Sequence, residues 1–240
     1  MRNNEYRLDS KVRFSEVDHT RKMTIPSIIN YFQDCSILQS EELGYGLSFL
    51  EKHKKAWILT GWHILIDRYP EAGEKITTGT WATSFKGFLG ERNFCMRDEN
   101  GEIVARANSL WLYMDWEKGR PAKPSDEEIE KYGKGEPLEM PPFSRRIEIP
   151  EDMKEADRFP VRKYHIDINE HVNNCQYVQM ALEVCDEIRK IRSIRVEYKK
   201  SAVYKDVMIA KVSKEKERTV VSLDAEDGST YAVVELKTVQ

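Results

Sequence analysis

Apolar positions along this chain follow a helical period and then a strand period, and they do so twice. Thr24 can cap a helix through its hydroxyl, with Pro26 tolerated in the first turn. Ile28, Phe32 and Cys35 then recur at i, i+4 and i+7, with Leu38 three positions on and Gly44 as the stop. Strands follow. Residues 57–67 and 75–85 are rich in β-branched and aromatic side chains, and 91–97 and 103–114 flank the hairpin signal Asp98-Glu99-Asn100-Gly101. In the second half Val178, Ala181, Leu182, Cys185 and Ile188 form one helical stripe, with Arg189 and Lys190 suited to the negative end of its dipole. Ile194, Val196 and Tyr198 alternate with Arg195, Glu197 and Lys199, the pattern of a half-buried strand. Residues 207–212, 219–223 and 231–236 predict three more strands, with Asp227-Gly228 marking the last turn.

One helix followed by several antiparallel strands predicts a helix laid across a sheet in each half. An offset of 149 residues aligns the halves, laying Asp18 on Asp167, Met23 on Val172, Ile28 on Tyr177 and Asp34 on Glu183. The expected fold class is α+β. Its two tandem units would join their sheets edge to edge as an intrachain pseudo-dimer, which removes two exposed edges. Seven of the nine prolines fall between Pro121 and Pro160, around an acidic run at 126–130. That segment reads as a connector holding one short helix near 126–132. The expected boundaries are therefore 1–120, a linker at 121–160, and 161–240.

Composition narrows the partners. Charged residues make up 33% of the chain and the net charge is −3, which argues against nonspecific nucleic-acid binding. No apolar run approaches the roughly 18 residues that span a bilayer, and the first residues lack the apolar core of a signal peptide. Cys35, Cys95, Cys175 and Cys185 show no C-x-x-C spacing, so a reduced, cytoplasmic setting without a metal site is expected, with Cys175 and Cys185 as small core residues.

Candidate chemistry is concentrated in Asp167-Ile168-Asn169-Glu170-His171-Val172-Asn173-Asn174. Asp167, Asn169, His171, Asn173 and Asn174 can hold water or a carbonyl, and they stand just ahead of the second helix. Asp167 or His171 can take a proton from water, and the Asn169 amide both donates and accepts. The first N–H groups of the helix can polarise a carbonyl. Attack by water and direct attack by Asp167 through an anhydride are both open. Asp167 and Asn173 equally fit a turn and a helix cap. In the first half Thr20 and Lys22 replace Asn169 and His171, so one site per chain is expected.

These residues carry a resemblance to the acyl-acyl-carrier-protein thioesterases of bacteria and plants, which have two hotdog domains in one polypeptide. The first half contributes Phe14-Ser15-Glu16-Val17-Asp18, the Tyr31–Ser36 segment, Gly79-Thr80-Trp81, Phe85-Lys86-Gly87-Phe88, and Trp111 to Asp115 followed by Gly119-Arg120-Pro121. The second half contributes the 167–174 motif with Tyr177 and Glu183, then Val196-Glu197-Tyr198-Lys199-Lys200. The resemblance covers nearly the whole chain. It implies hydrolysis of fatty acyl-acyl carrier protein to a free fatty acid, with no cofactor. Asp167, Asn169 and His171 would be the catalytic residues. The first unit would be non-catalytic and line an acyl-chain pocket, for which Trp57, Trp62, Trp81, Phe85 and Phe88 are candidates beside plain core packing. The plant enzymes carry a Glu-Cys pair just after the Glu-Tyr-basic-basic strand. Here those positions are Ser201 and Ala202. The acid-base load then falls on Asp167 and His171, or Ser201 orients water, or Glu183 contributes; Asn174 is a further accessory candidate.

The partner implied is acyl carrier protein, and the chain would act as a monomer or homodimer. Arg189, Lys190, Arg192, Arg195, Lys199 and Lys200, with Glu197 the one acid among them, would suit that acidic partner or simply form a solvated helix end and strand face. An acyl-coenzyme A thioesterase and a non-catalytic acyl-binding protein are the alternatives. A hotdog hydratase or dehydratase would need a motif that this chain does not show.

Overall fold

A computed structural model describes residues 4–142, 144–185 and 191–238, and the chain divides into two compact units. The first comprises Met1–Thr60 with Ile66–Phe143, the second Gly61–Leu65 with Ser144–Gln240.

The first unit begins with β1 (Tyr6–Lys11) and a 3-10 turn (Phe14–Glu16), then α1 (Ile25–Glu42) and α2 (Leu47–His53). β2 (Lys55–Ile66), β3 (Lys75–Lys86), β4 (Leu89–Asp98) and β5 (Ile103–Asp115) follow, then the short β6 (Arg120–Pro121) and α3 (Asp126–Tyr132). The hydrogen-bonded order is β1-β3-β4-β5-β2, with β6 on β5. As expected, Thr24 caps α1 by accepting the Ser27 N–H, and Gly44 takes a left-handed φ of 82° just past its end. The face that α1 buries runs through Ile25, Ile28, Ile29, Phe32, Cys35, Ser36 and Gln39, packed over β1 and β3. Leu38, expected in that stripe, turns off its edge and is exposed. Gln39 is buried in its place because it accepts a hydrogen bond from the buried Arg92 guanidinium. α3 matches its predicted span and is anchored by buried Glu128, which accepts from Trp57 Nε1 (3.0 Å) and the Tyr113 hydroxyl (2.7 Å). Trp62 and Trp81 are fully buried, whereas Phe88, another pocket candidate, is exposed at a hairpin tip.

The second unit holds β7 (Lys154–Pro160), a 3-10 turn (Lys163–His165), α4 (Asn174–Glu183), β8 (Ile191–Tyr198), β9 (Val207–Lys214), β10 (Arg218–Asp224) and β11 (Thr230–Thr238). Its order, β7-β9-β10-β11-β8, repeats that of the first unit strand for strand. Gly61–Leu65, the part of β2 that belongs to this second unit, pair antiparallel with β8. β7 falls inside the stretch expected to be connector; its seven residues are mostly exposed, so no period-2 burial signal marks it. α4 packs on β10 and β11 and buries Cys175, Tyr177, Val178, Met180, Ala181 and Leu182. It ends at Glu183, so Cys185 lies beyond the helix rather than on its stripe, and Ile188, Arg189 and Lys190 lie outside the described residues. Each unit is thus a helix against an antiparallel sheet, the α+β arrangement of a hotdog fold. Among the described residues no helix is long and apolar enough to cross a membrane.

Candidate active site

The 167–174 motif is a closed loop between a 3-10 turn and α4. Ile166 and Val172 bridge as an antiparallel pair. The Asp167 N–H donates to the His171 carbonyl (2.8 Å) and the Glu170 N–H to the Asp167 carbonyl (3.1 Å). Asp167 Oδ1 accepts the Asn169 N–H at 2.8 Å, a side-chain turn that ties the loop from inside. Glu170 takes φ 62°, and this left-handed residue reverses the chain between Asn169 and His171. Asn173 then caps α4, its Oδ1 accepting the Cys175 N–H at 2.9 Å.

The first unit builds the same loop 149 residues earlier. Val17 bridges Met23, Arg21 takes φ 66°, Asp18 Oδ1 accepts the Thr20 N–H (2.7 Å), and Thr24 is the cap. The repeat is therefore one of backbone geometry, and Thr20 and Lys22 stand where the second unit has Asn169 and His171.

Asn169 and His171 line one open cleft of about 460 Å³, together with Lys163, Glu170, Val203 and Tyr204. Asn169 is exposed and His171 half-buried. Asp167 is half-buried and is not among the cleft-lining residues; its oxygen is turned to the loop backbone. The helix end offers less than expected. The Cys175 N–H is held by the Asn173 side chain and the Gln176 N–H by the Asn173 carbonyl (2.9 Å). The cap reading of Asn173 therefore holds, and these donors do not face the cleft as open groups.

Val203 and Tyr204 reach the cleft through contacts that no local pattern announces. The Val172 N–H donates to the Ala202 carbonyl at 2.9 Å, fastening the β8–β9 loop against the motif. The Ala202 N–H donates to the Tyr177 hydroxyl at 2.8 Å, and Ala202 is fully buried. Asp206 holds the far end of the loop, accepting from the Val203 N–H (3.0 Å) and the Tyr231 hydroxyl (2.9 Å). Burial, with the Asp206 and Asp167 carboxylates nearby, pushes Tyr177 up to about 12, so its hydroxyl stays protonated while accepting from Ala202. Tyr177→Phe leaves that buried N–H without an acceptor and is expected to cost about 1–3 kcal/mol. Urea unfolding of the two proteins measures it, and an unchanged midpoint would contradict this role for the hydroxyl.

The remaining candidates fall outside the cleft. Asn174 is the first residue of α4, half-buried, with its carbonyl accepting from the Tyr198 hydroxyl (2.9 Å). Glu183 is exposed at the other end of α4. Ser201 is exposed on the loop, one residue before the Ala202 carbonyl that Val172 engages. Among the basic residues, Arg195 is committed within its unit. It pairs with Glu235 (3.1 Å) and donates to the carbonyls of Ser144 (2.7 Å) and Arg146 (3.2 Å). Arg192 is half-buried. Lys199 and Lys200 are exposed, Lys200 lying 3.7 Å from Asp227 and over the Tyr231 ring.

Comparisons with known proteins bear on the chain as a whole. The model of the acyl-ACP thioesterase N-terminal domain matches residues 3–132, and that of the C-terminal domain matches residues 149–237. A palmitoyl-acyl carrier protein thioesterase of Arabidopsis thaliana is 29% identical over 213 residues, which cover 81% of this chain and 52% of that protein. An oleoyl-acyl carrier protein thioesterase of the same plant is 25% identical over 224 residues, covering 82% of this chain and 60% of its own length. The chain thus spans little more than half the length of these curated relatives. Among solved structures, an acyl-ACP thioesterase from Bacteroides thetaiotaomicron superposes with a TM-score of 0.91 at 20% identity, covering 99% of this chain and 98% of that one. A 12:0-ACP thioesterase from Umbellularia californica gives 0.86, also at 20% identity, with 99% and 98% covered. At that identity the structural likeness is one of fold. The two family models between them account for most of the sequence and meet in neither the motif nor its loop, and on that ground the chain belongs to the acyl-ACP thioesterase family.

Proposed function

We propose that this chain hydrolyses the thioester between a fatty acyl group and acyl carrier protein, releasing the free fatty acid. The observation that carries the reading is that Asn169 and His171, present in only one of the two repeats, line one cleft on a loop fastened from three sides. His171 is the general base. It takes a proton from water as the water oxygen attacks the thioester carbonyl, and returns it to the sulfur as the carbon–sulfur bond breaks. The Asn169 amide holds the water or donates to the developing oxyanion. Asp167 fixes the loop through Asn169 and lends its negative charge to the site. Its turn toward the backbone supports water, rather than this carboxylate, as the nucleophile. In this scheme the positions of the plant Glu-Cys pair carry no general base: Ser201 is exposed on the loop and Ala202 is buried.

Acyl carrier protein is the proposed partner, with Lys199 and Lys200 as the exposed cations that would meet it. The proposed compartment is the cytoplasm. Cys35 and Cys95 are buried free thiols, each pushed up to about 12, first by burial, and a reducing compartment suits them. A turnover panel with matched acyl chains on acyl carrier protein and on coenzyme A tests the reading: hydrolysis of the carrier-protein substrates is expected, and no turnover of either would overturn it. Lys199→Glu combined with Lys200→Glu is expected to raise KM on the carrier-protein substrate about tenfold and much less on coenzyme A. An equal rise on both would remove these lysines from docking.

A further inference from the structure

The turn that feeds the motif contains a group the scheme above does not use. His165 is 7% exposed, and its Nδ1 accepts the Arg162 backbone N–H at 3.0 Å. Its own carbonyl accepts the N–H of Asn173, the α4 cap, at 2.9 Å. One residue thus closes the turn ahead of the motif through its ring and the segment that presents Asn169 and His171 through its carbonyl. The first unit makes the same carbonyl bond, from the Thr24 N–H to Glu16 at 2.9 Å, and differs in the side-chain acceptor. At the equivalent position Glu16 accepts the Arg13 N–H through its carboxylate at 2.8 Å, and Tyr31 donates to the same carboxylate. A carboxylate remains an acceptor throughout the neutral and mildly acidic range. An imidazole Nδ1 accepts only while unprotonated, so Nε2 must carry the proton in the state seen here.

We propose that His165 is a positioning residue that clamps the motif loop in its neutral form and releases it on protonation, making the site acid-sensitive where the first repeat is not. This rests on the hydrolase reading only for its consequence in turnover; the clamp itself is a property of the loop. Its own turn carries Arg162, Lys163 and Tyr164, whose ring centroid lies 4.2 Å from that of the imidazole; the motif that its carbonyl closes carries Asp167 and His171, and the loop bonded to Val161 carries Lys205 and Asp206. Burial first, and then the Arg162 charge, hold His165 below the usual imidazole range. The sign follows. With the folded value depressed, the clamp is fully present above the unfolded value of about 6.5 and is lost as pH falls through the folded one.

The test uses the full chain, its His165→Glu variant, which copies the first repeat, and His165→Gln, which keeps an uncharged acceptor. Backbone amide exchange at Arg162 and Asn173, corrected for intrinsic rates, is expected to lose about tenfold protection in the wild type as pH falls from about 7 to the acid edge of the folded range, and far less in either variant. The ratio of variant to wild-type kcat on a fatty acyl thioester should climb at least about threefold over the same range. Parallel exchange profiles in wild type and both variants would overturn the proposal, as would wild-type protection that does not change with pH. Loss of protection as expected in a protein that turns over no thioester would sink the hydrolase reading and leave the clamp standing.

Discussion

His171→Ala is expected to lower kcat for fatty acyl-ACP hydrolysis by about a hundredfold or more, the range associated with removing a general acid-base group. The substitution removes the one imidazole in the cleft and leaves the loop intact, because the motif's backbone bonds run through the His171 carbonyl and not its ring. Asn169→Ala should fall by a comparable factor for a different reason. Its amide is the exposed donor and acceptor on the cleft wall, and its contribution to the loop is its backbone N–H, which alanine retains. Glu183→Ala, at the other end of α4, is the contrast and should change kcat by less than about threefold, within the scatter of surface substitutions. Steady-state kinetics with thermal melts on all three proteins decide the matter. Near wild-type turnover in both cleft variants would remove this cleft from catalysis.

Glu235→Leu is expected to destabilise the second unit by about 3 kcal/mol, the low end for breaking a buried pair while its partners remain. Glu235 is 3% exposed on β11 and accepts from Arg218 Nε at 2.6 Å and Arg195 Nη1 at 3.1 Å. Both guanidiniums extend to the segment ahead of β7: Arg218 donates to the Glu148 carbonyl (2.9 Å), and Arg195 to those of Ser144 and Arg146. Leucine would leave two poorly hydrated cations on a sheet face that a strap of backbone covers. Burial works to raise the Glu235 value, but the Arg218 hydrogen bond and the charges of Lys237, Arg195 and Arg218 outweigh it and hold it below the usual carboxylate range. Its stabilisation is thus present above the unfolded value near 4.5 and is lost as pH falls through the folded one. Chemical denaturation at neutral pH and near pH 3 should show a gap between wild type and variant that closes in acid. A gap of the same size at both would assign the loss to packing instead of the ion pairs.

These two residues mark where sequence reasoning succeeds and where it stops. His171 was legible because the motif loop is local. A turn-forming Asp167, an Asn173 cap and a helix stripe are short-range signals, and the same signals at Asp18 and Thr24 made the repeat visible before any contact was known. The strand edges were legible for the same reason, since period 2 records which face is buried. β7 escaped because its side chains are exposed on both faces and alternation has nothing to record. The end of α4 escaped because Cys185 continues the stripe in sequence while the backbone has already left the helix.

The sequence by itself determined the two helix-then-sheet units, the motif loop with its cap, and the confinement of Asn169 and His171 to one of them, because each depends on neighbours within a few positions. Only the tertiary structure decided which side chains share the cleft and which charges are available. Val203 and Tyr204 face Asn169 because Val172 bonds Ala202 across about thirty intervening residues, a pairing that loop closure permits but no periodicity encodes. Arg195 reads as a free cation on an outer strand until Glu235 arrives from β11 to neutralise it. Local propensity acts through the backbone of adjacent residues, whereas charge pairing and cleft formation act through space, and the chain order carries no measure of that distance.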